Sequence, residues 1–171
     1  MRLPLRHLKW PLLFAIAGVL MANSCEPDKD PPTPGGVDIN GTWRWRSTVY
    51  VANVSATSSV PCSIIHVGDT VSRNISIAQS VSNKVYLAGF GTGVSDTLSG
   101  TLQDPQGNDG SKAELPIEGS YKDHGGTRLE ESNSVVSIYS DDSLSGLEMW
   151  SWTGTGGPCV GTSRIEATRI P

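Results

Sequence analysis

From Gly41 to Val54 the chain reads GTWRWRSTVYVANV, which puts Trp43, Trp45, Ser47, Val49 and Val51 on one side and Arg44, Arg46, Thr48 and Tyr50 on the other. A period of two sustained over that length predicts a strand with one buried face. Val71 to Gln79 repeats it, with Val71, Arg73, Ile75, Ile77 and Gln79 together. Shorter stretches follow at 64–67, 85–88, 97–103, 112–118, 127–131, 135–139, 144–153 and 162–170, carried by apolar residues such as Leu87, Leu98, Leu115 and Ile138. Turn signals separate them: Gly68-Asp69, Asn83-Lys84, Asp104 to Gly110, Lys122 to Gly126 and Asp141-Asp142. The pattern predicts roughly eight to ten short strands and no crossover helix. That is an all-β domain over 38–171, either a closed antiparallel up-and-down barrel or a β-sandwich. Pro116, which cannot donate to a ladder, suits an edge or a bulge.

The start of the chain follows another rule. Arg2, Arg6 and Lys9 precede an apolar run from Trp10 to Met21, and Ala22, Asn23 and Ser24 lead to Cys25. A basic start, a short apolar core and small residues at the cut predict a secretory signal over 1–24. The run is shorter than the roughly 20 residues a membrane span needs. Residues 25–37 are acidic and rich in Pro, and predict a solvated linker without packed structure as far as Gly36.

Cys25, with Ser24 before it and Glu26, Asp28 and Asp30 after it, resembles the lipobox of bacterial lipoproteins in the form common in the Bacteroidota. The resemblance implies lipidation at Cys25, membrane lipid as a partner, and an outer-membrane location on the periplasmic or the outer side. Two acyl chains would hold a soluble domain there firmly.

Charge narrows the remaining partners. With 13 Lys and Arg against 17 Asp and Glu, and no basic cluster, the chain has nothing to hold phosphates, which excludes nucleic acid. Setting Cys25 aside leaves Cys62 and Cys159, an even count that favours one disulfide in an oxidising compartment. In an up-and-down barrel they fall at one rim, because the first and last strands are neighbours. Neither has His or Cys neighbours at metal-ligand spacing, so no metal site is expected.

Gly41-Thr42-Trp43, the meander of short strands and an Arg on the last strand together resemble lipocalin-like (calycin) barrels. The resemblance implies that Trp43 caps the closed end beneath Arg169, which shares a face with Ile165 and Ala167. It further implies an interior that takes a small apolar ligand. The expected lining is Trp45, Val49, Ile75, Ile77, Leu87, Leu98, Leu115, Ile138 and Trp150; in a narrow barrel the same residues are core.

Trp150 and Trp152 share a face with Leu144, Gly146 and Glu148, while Leu147 and Met149 lie opposite. Two placements follow. The indoles either pack inside, or stand outside as a platform for a glycan or a protein, joined there by Tyr121 or Tyr139. His66 and His124 stand alone, and Asp109, Glu130-Glu131 and Asp141-Asp142 are assigned to turns. No nucleophile elbow or paired-acid pattern emerges. The expectation is a monomeric, non-enzymatic binding module without cofactor, catalytic residue or metal, engaging an apolar ligand or an envelope protein or glycan.

Overall fold

Alternating apolar and polar side chains build eight strands: β1 (Gly41–Asn53), β2 (Thr70–Gln79), β3 (Lys84–Ala88), β4 (Thr97–Thr101), β5 (Ala113–Asp123), β6 (Gly126–Ser140), β7 (Ser143–Thr153) and β8 (Cys159–Arg169). They come from a computed structural model that describes residues 33–171 apart from 92, 94 and 95. The predicted leader, Cys25 and most of the linker lie outside the described residues. Each strand pairs antiparallel with the next, and β8 returns to β1 from Trp43↔Arg169 to Asn53↔Val160. The closed ladder decides for the up-and-down barrel over the sandwich. This is the lipocalin-like fold, and closure removes every exposed sheet edge.

Some predicted elements differ. The stretch 64–67 is no strand but part of the connection between β1 and β2. The stretches 127–131 and 135–139 are one strand, β6, which runs on through irregular register between Glu130 and Val135. Polar Ser and Asn at this point imitate a turn, although the strand runs on through it with residues 131–133 out of register. In β1 the register shifts between Val49 and Val51. Val51 therefore points to solvent, and Ala52 takes the inward place expected of it.

The interior holds two apolar clusters. The larger contains Trp43, Trp45, Ile75, Leu87, Leu115 and Ile138 among others. The smaller contains Val49, Ala52, Cys62, Ile65, Trp150, Trp152 and Cys159. Burying one large side chain contributes about 1.5–3 kcal/mol, so the four indoles, each no more than 1% exposed, weigh heavily. Their bulk is accommodated by missing side chains opposite. A Cβ on Gly161 would lie 2.3 Å from the Trp150 ring, and one on Gly126 would lie 2.4 Å from Trp152.

Trp43 closes one end. Its indole Nε1 donates to Ile39 O at 2.9 Å, and the Arg169 guanidinium lies 5.2 Å from the ring centroid. Arg169 also donates to the carbonyls of Asp38, Asn40 and Asp141, stitching the incoming chain to the turn between β6 and β7. Val37 and Ile39 are buried beneath it. The core thus starts one residue before the expected boundary at Asp38. The end of the linker is also structured, since Pro34–Gly36 forms a 3-10 turn.

The other end, called the mouth below, is tied by a disulfide. Cys62 and Cys159 are bonded with a Cα separation of 5.6 Å, across 97 residues. This corrects the lipid partner expected through Cys25. The cysteines that the structure describes are joined to each other within the chain, and neither is a thiol that carries an acyl group. Replacing both by Ser is expected to lower stability by about 2–5 kcal/mol in denaturant melts, with reductant bringing the unmodified chain down to the same level.

Candidate functional site

Between the two apolar clusters the barrel wall turns charged side chains inward. β6 contributes Arg128 and Glu130, β7 Glu148, β5 Tyr121 and Asp123, β2 Arg73, β1 Ser47 and β8 Ser163. Arg128 is the centre. Its Nε donates to Glu130 Oε1 at 2.7 Å, and its Nη2 to Glu148 Oε2 at 2.9 Å and Ser163 Oγ at 3.2 Å. Its guanidinium lies 4.5 Å from the Trp150 ring centroid. Tyr121 donates to Glu130 at 3.2 Å and Ser47 to Glu148 at 2.7 Å. Burial opposes the charge on Arg128, but Tyr121, Glu130, Glu148 and Asp123 around it more than offset this and raise its pKa above the ordinary arginine value. Burial, with Glu148 beside it, lifts the Tyr121 phenol well above its usual value.

Toward the mouth a second group follows. Asp123 faces Arg73 at 3.9 Å, His124 at 3.0 Å and Arg128 at 3.7 Å. The Arg73 guanidinium lies near two rings, 5.6 Å from the centroid of Phe90 and 5.2 Å from that of Tyr121. Here a hollow of about 10 Å³ is bounded by Trp45, Ser47, Arg73, Phe90, His124 and Arg128 among others. That is room for one water molecule.

The residues expected to line an apolar pocket all point inward. Trp45, Ile75, Ile77, Leu87, Leu98, Leu115 and Ile138 belong to the larger cluster, and Val49 and Trp150 to the smaller. They pack as core on either side of the charged layer, not around one open space. Trp150 and Trp152 are inside, and so is Tyr121, which corrects the platform of exposed Trp. Glu130 is a buried mid-strand residue and not part of a turn. Among the described residues no group of His, Cys, Asp and Glu is spaced to hold a metal ion.

No family model matches this chain, and no curated protein matches it. The reading of the site therefore rests on its own geometry.

Solvent-accessible relief is found on the outer wall. The β1–β8–β7 register sets out rows of outward residues: Arg46, Glu166 and Ser145; Thr48, Arg164 and Leu147; Val51, Thr162 and Met149. Tyr50, displaced by the bulge, lies beside Arg164 with its ring centroid 5.5 Å from the guanidinium. Two grooves, of about 330 and 370 Å³, share Arg164 and Glu166 in their walls. Arg44, Arg46 and Arg164 are the exposed arginines among the described residues, and all three lie on β1 and β8. The expected apolar positions Leu147 and Met149 join them outside, 52% and 40% exposed. Sequence reasoning missed this face because it read Arg44, Arg46 and Tyr50 only as the solvated side of a strand.

Inside, Arg128→Met would leave Glu130 and Glu148 without their cation. It is expected to cost about 3–5 kcal/mol in urea denaturation, whereas Arg46→Met on the outer wall should change stability by no more than about 0.5 kcal/mol.

Proposed function

We propose that this protein is a non-enzymatic binding module that recognises a carboxylate-bearing protein partner on the outer face of β1, β8 and β7. One comparison carries the reading: the hollow inside the barrel is about 10 Å³, while the outer grooves flanking Arg164 are about 330 and 370 Å³. The face has the make-up of an interaction surface. Arg and Tyr dominate binding hot spots, and Tyr50, Leu147 and Met149 offer apolar area beside Arg46 and Arg164. Its charge selects the partner. Three exposed arginines share the face with Glu166, which lies 4.0 Å from Arg46, in a chain that is acidic elsewhere. A surface bearing carboxylates complements it.

The Cys62–Cys159 bond supports a location outside the reducing cytoplasm. On this reading 1–24 is an export leader, 25–36 a spacer, and the binding barrel runs from Val37 to Pro171.

The double change Arg46→Glu and Arg164→Glu tests it. The native chain should retain a partner from an extracytoplasmic fraction in a salt-sensitive manner, and the partner's carboxylates should be needed for retention. The variant, with unchanged melting temperature, should bind at least about tenfold more weakly. Equal retention of the same partner by both proteins would refute the outer-face reading.

A second reading has its own support. Trp45 Nε1 is a buried donor without a hydrogen-bond partner in the protein, and its residue borders the mouth hollow together with Arg73 and His124. These groups would serve a small polar ligand that displaces the rim side chains. Titration with small carboxylates, followed by the Trp45 indole N–H resonance, should then give a saturable shift that Arg73→Ala abolishes.

A further inference from the structure

The charged layer contains an imbalance that the outer-face reading does not use. Glu130 and Glu148 are 1% and 0% exposed, and both are bound to the same guanidinium. Arg73, the other cation inside, faces Asp123 instead. His124 also pairs with Asp123 and is partly exposed at the rim. Two buried carboxylates therefore compete for one positive charge, in surroundings where an uncompensated ion is costly.

The hydrogen bonds show the same shortage. Glu148 Oε1 is buried and has no partner in the protein. Glu130 Oε2 has Ser134 Oγ at 3.5 Å, but that hydroxyl is engaged by the backbone of Met149, accepting from its N–H at 2.8 Å and donating to its carbonyl at 3.0 Å. A hydroxyl has one hydrogen and two lone pairs. With its hydrogen on the Met149 carbonyl, Ser134 has a lone pair left for a proton carried by Glu130.

We propose that Glu130, which shares the Arg128 guanidinium with Glu148, holds a proton at neutral pH, and that this proton makes the layer a pH-sensitive lock on the barrel. Proton uptake removes the surplus negative charge and supplies the missing donor to Ser134. The groups facing the pair are Tyr121 from β5, Arg128 and Ser134 from β6 and Ser47 from β1, with Ser163 from β8 and Asp123 from β5 on the same Arg128, and Arg73, His124 and Asp69 beyond them at the mouth hollow. Arg128 and the Tyr121 hydroxyl favour the ionised form of Glu130. Burial and then Glu148 outweigh them and push its pKa from 4.5 up to about 8.

Between those values the folded chain holds a proton that the unfolded chain has released. The contribution is fully present below the unfolded value and is lost as pH rises through about 8.

Carbon-13 labelling of the glutamate carboxyls in the intact chain tests this. One glutamate should remain protonated at neutral pH and titrate near 8, and the unfolding free energy should fall as pH rises toward that value. Glu130→Gln should remove both the resonance and the slope. Glu148→Gln should move the Glu130 titration down by about one unit or more, because the like charge is gone. Glutamate carboxyls that are all ionised at neutral pH, with no fall in stability below pH 8, would overturn the proposal. The titration of the native chain decides the matter even if a variant fails to fold.

Discussion

Eight strands closed on themselves enclose an interior that side chains can fill, and here they fill it except for a hollow of about 10 Å³. Whatever points inward must fit against its opposite number, because neither an edge nor a second layer exists to absorb a mismatch. Four indoles take up much of that space, and Gly161 and Gly126 lie where Trp150 and Trp152 would otherwise collide with a neighbour. The same constraint governs the polar residues. Arg128 crosses the middle of the barrel because carboxylates and hydroxyls from four other strands can surround it there. A well-packed interior of this kind leaves the larger grooves on the outer wall.

The two ends are held by different chemistry. At the Trp43 end a single guanidinium binds backbone carbonyls from the incoming chain and from the turn between β6 and β7. These carbonyls leave regular pairing, and Arg169 satisfies several of them together while covering an indole. At the mouth the long connection between β1 and β2 has few ladder bonds of its own, and a covalent bond anchors it to the start of β8. Noncovalent stitching suffices where the chain segments are short, and a crosslink serves where the loop is long.

The fold was legible because period-two alternation survives in almost every strand, and because Gly, Asn and Asp mark the turns. The pairing of Cys62 with Cys159 followed from the neighbouring of first and last strands, and the position of Trp43 beneath Arg169 from the resemblance to lipocalin-like barrels. The charged layer was hidden by the same rule. In β6 the apolar Leu129 faces solvent while Arg128 and Glu130 face in, so a reading by polarity assigns each to the wrong side. Two hints were present: Arg73 shares a face with Ile75 and Ile77, and Glu148 shares one with Trp150 and Trp152. A charge in phase with buried neighbours marks a partner across the barrel, but one strand alone cannot say which strand supplies it. The volume of the interior was equally out of reach, since it depends on how side chains from eight strands meet.

The bulge in β1 has a consequence for how this wall evolves. Because one extra residue sits between Val49 and Val51, Tyr50 and Val51 both face outward and Ala52 returns to the core. Deleting either of those two would restore strict alternation, with Ala52 keeping its place in the core, and would remove one outward apolar side chain. Insertion and deletion at this point thus change which side chains the outer wall presents, without altering the chemical type of any neighbouring side chain.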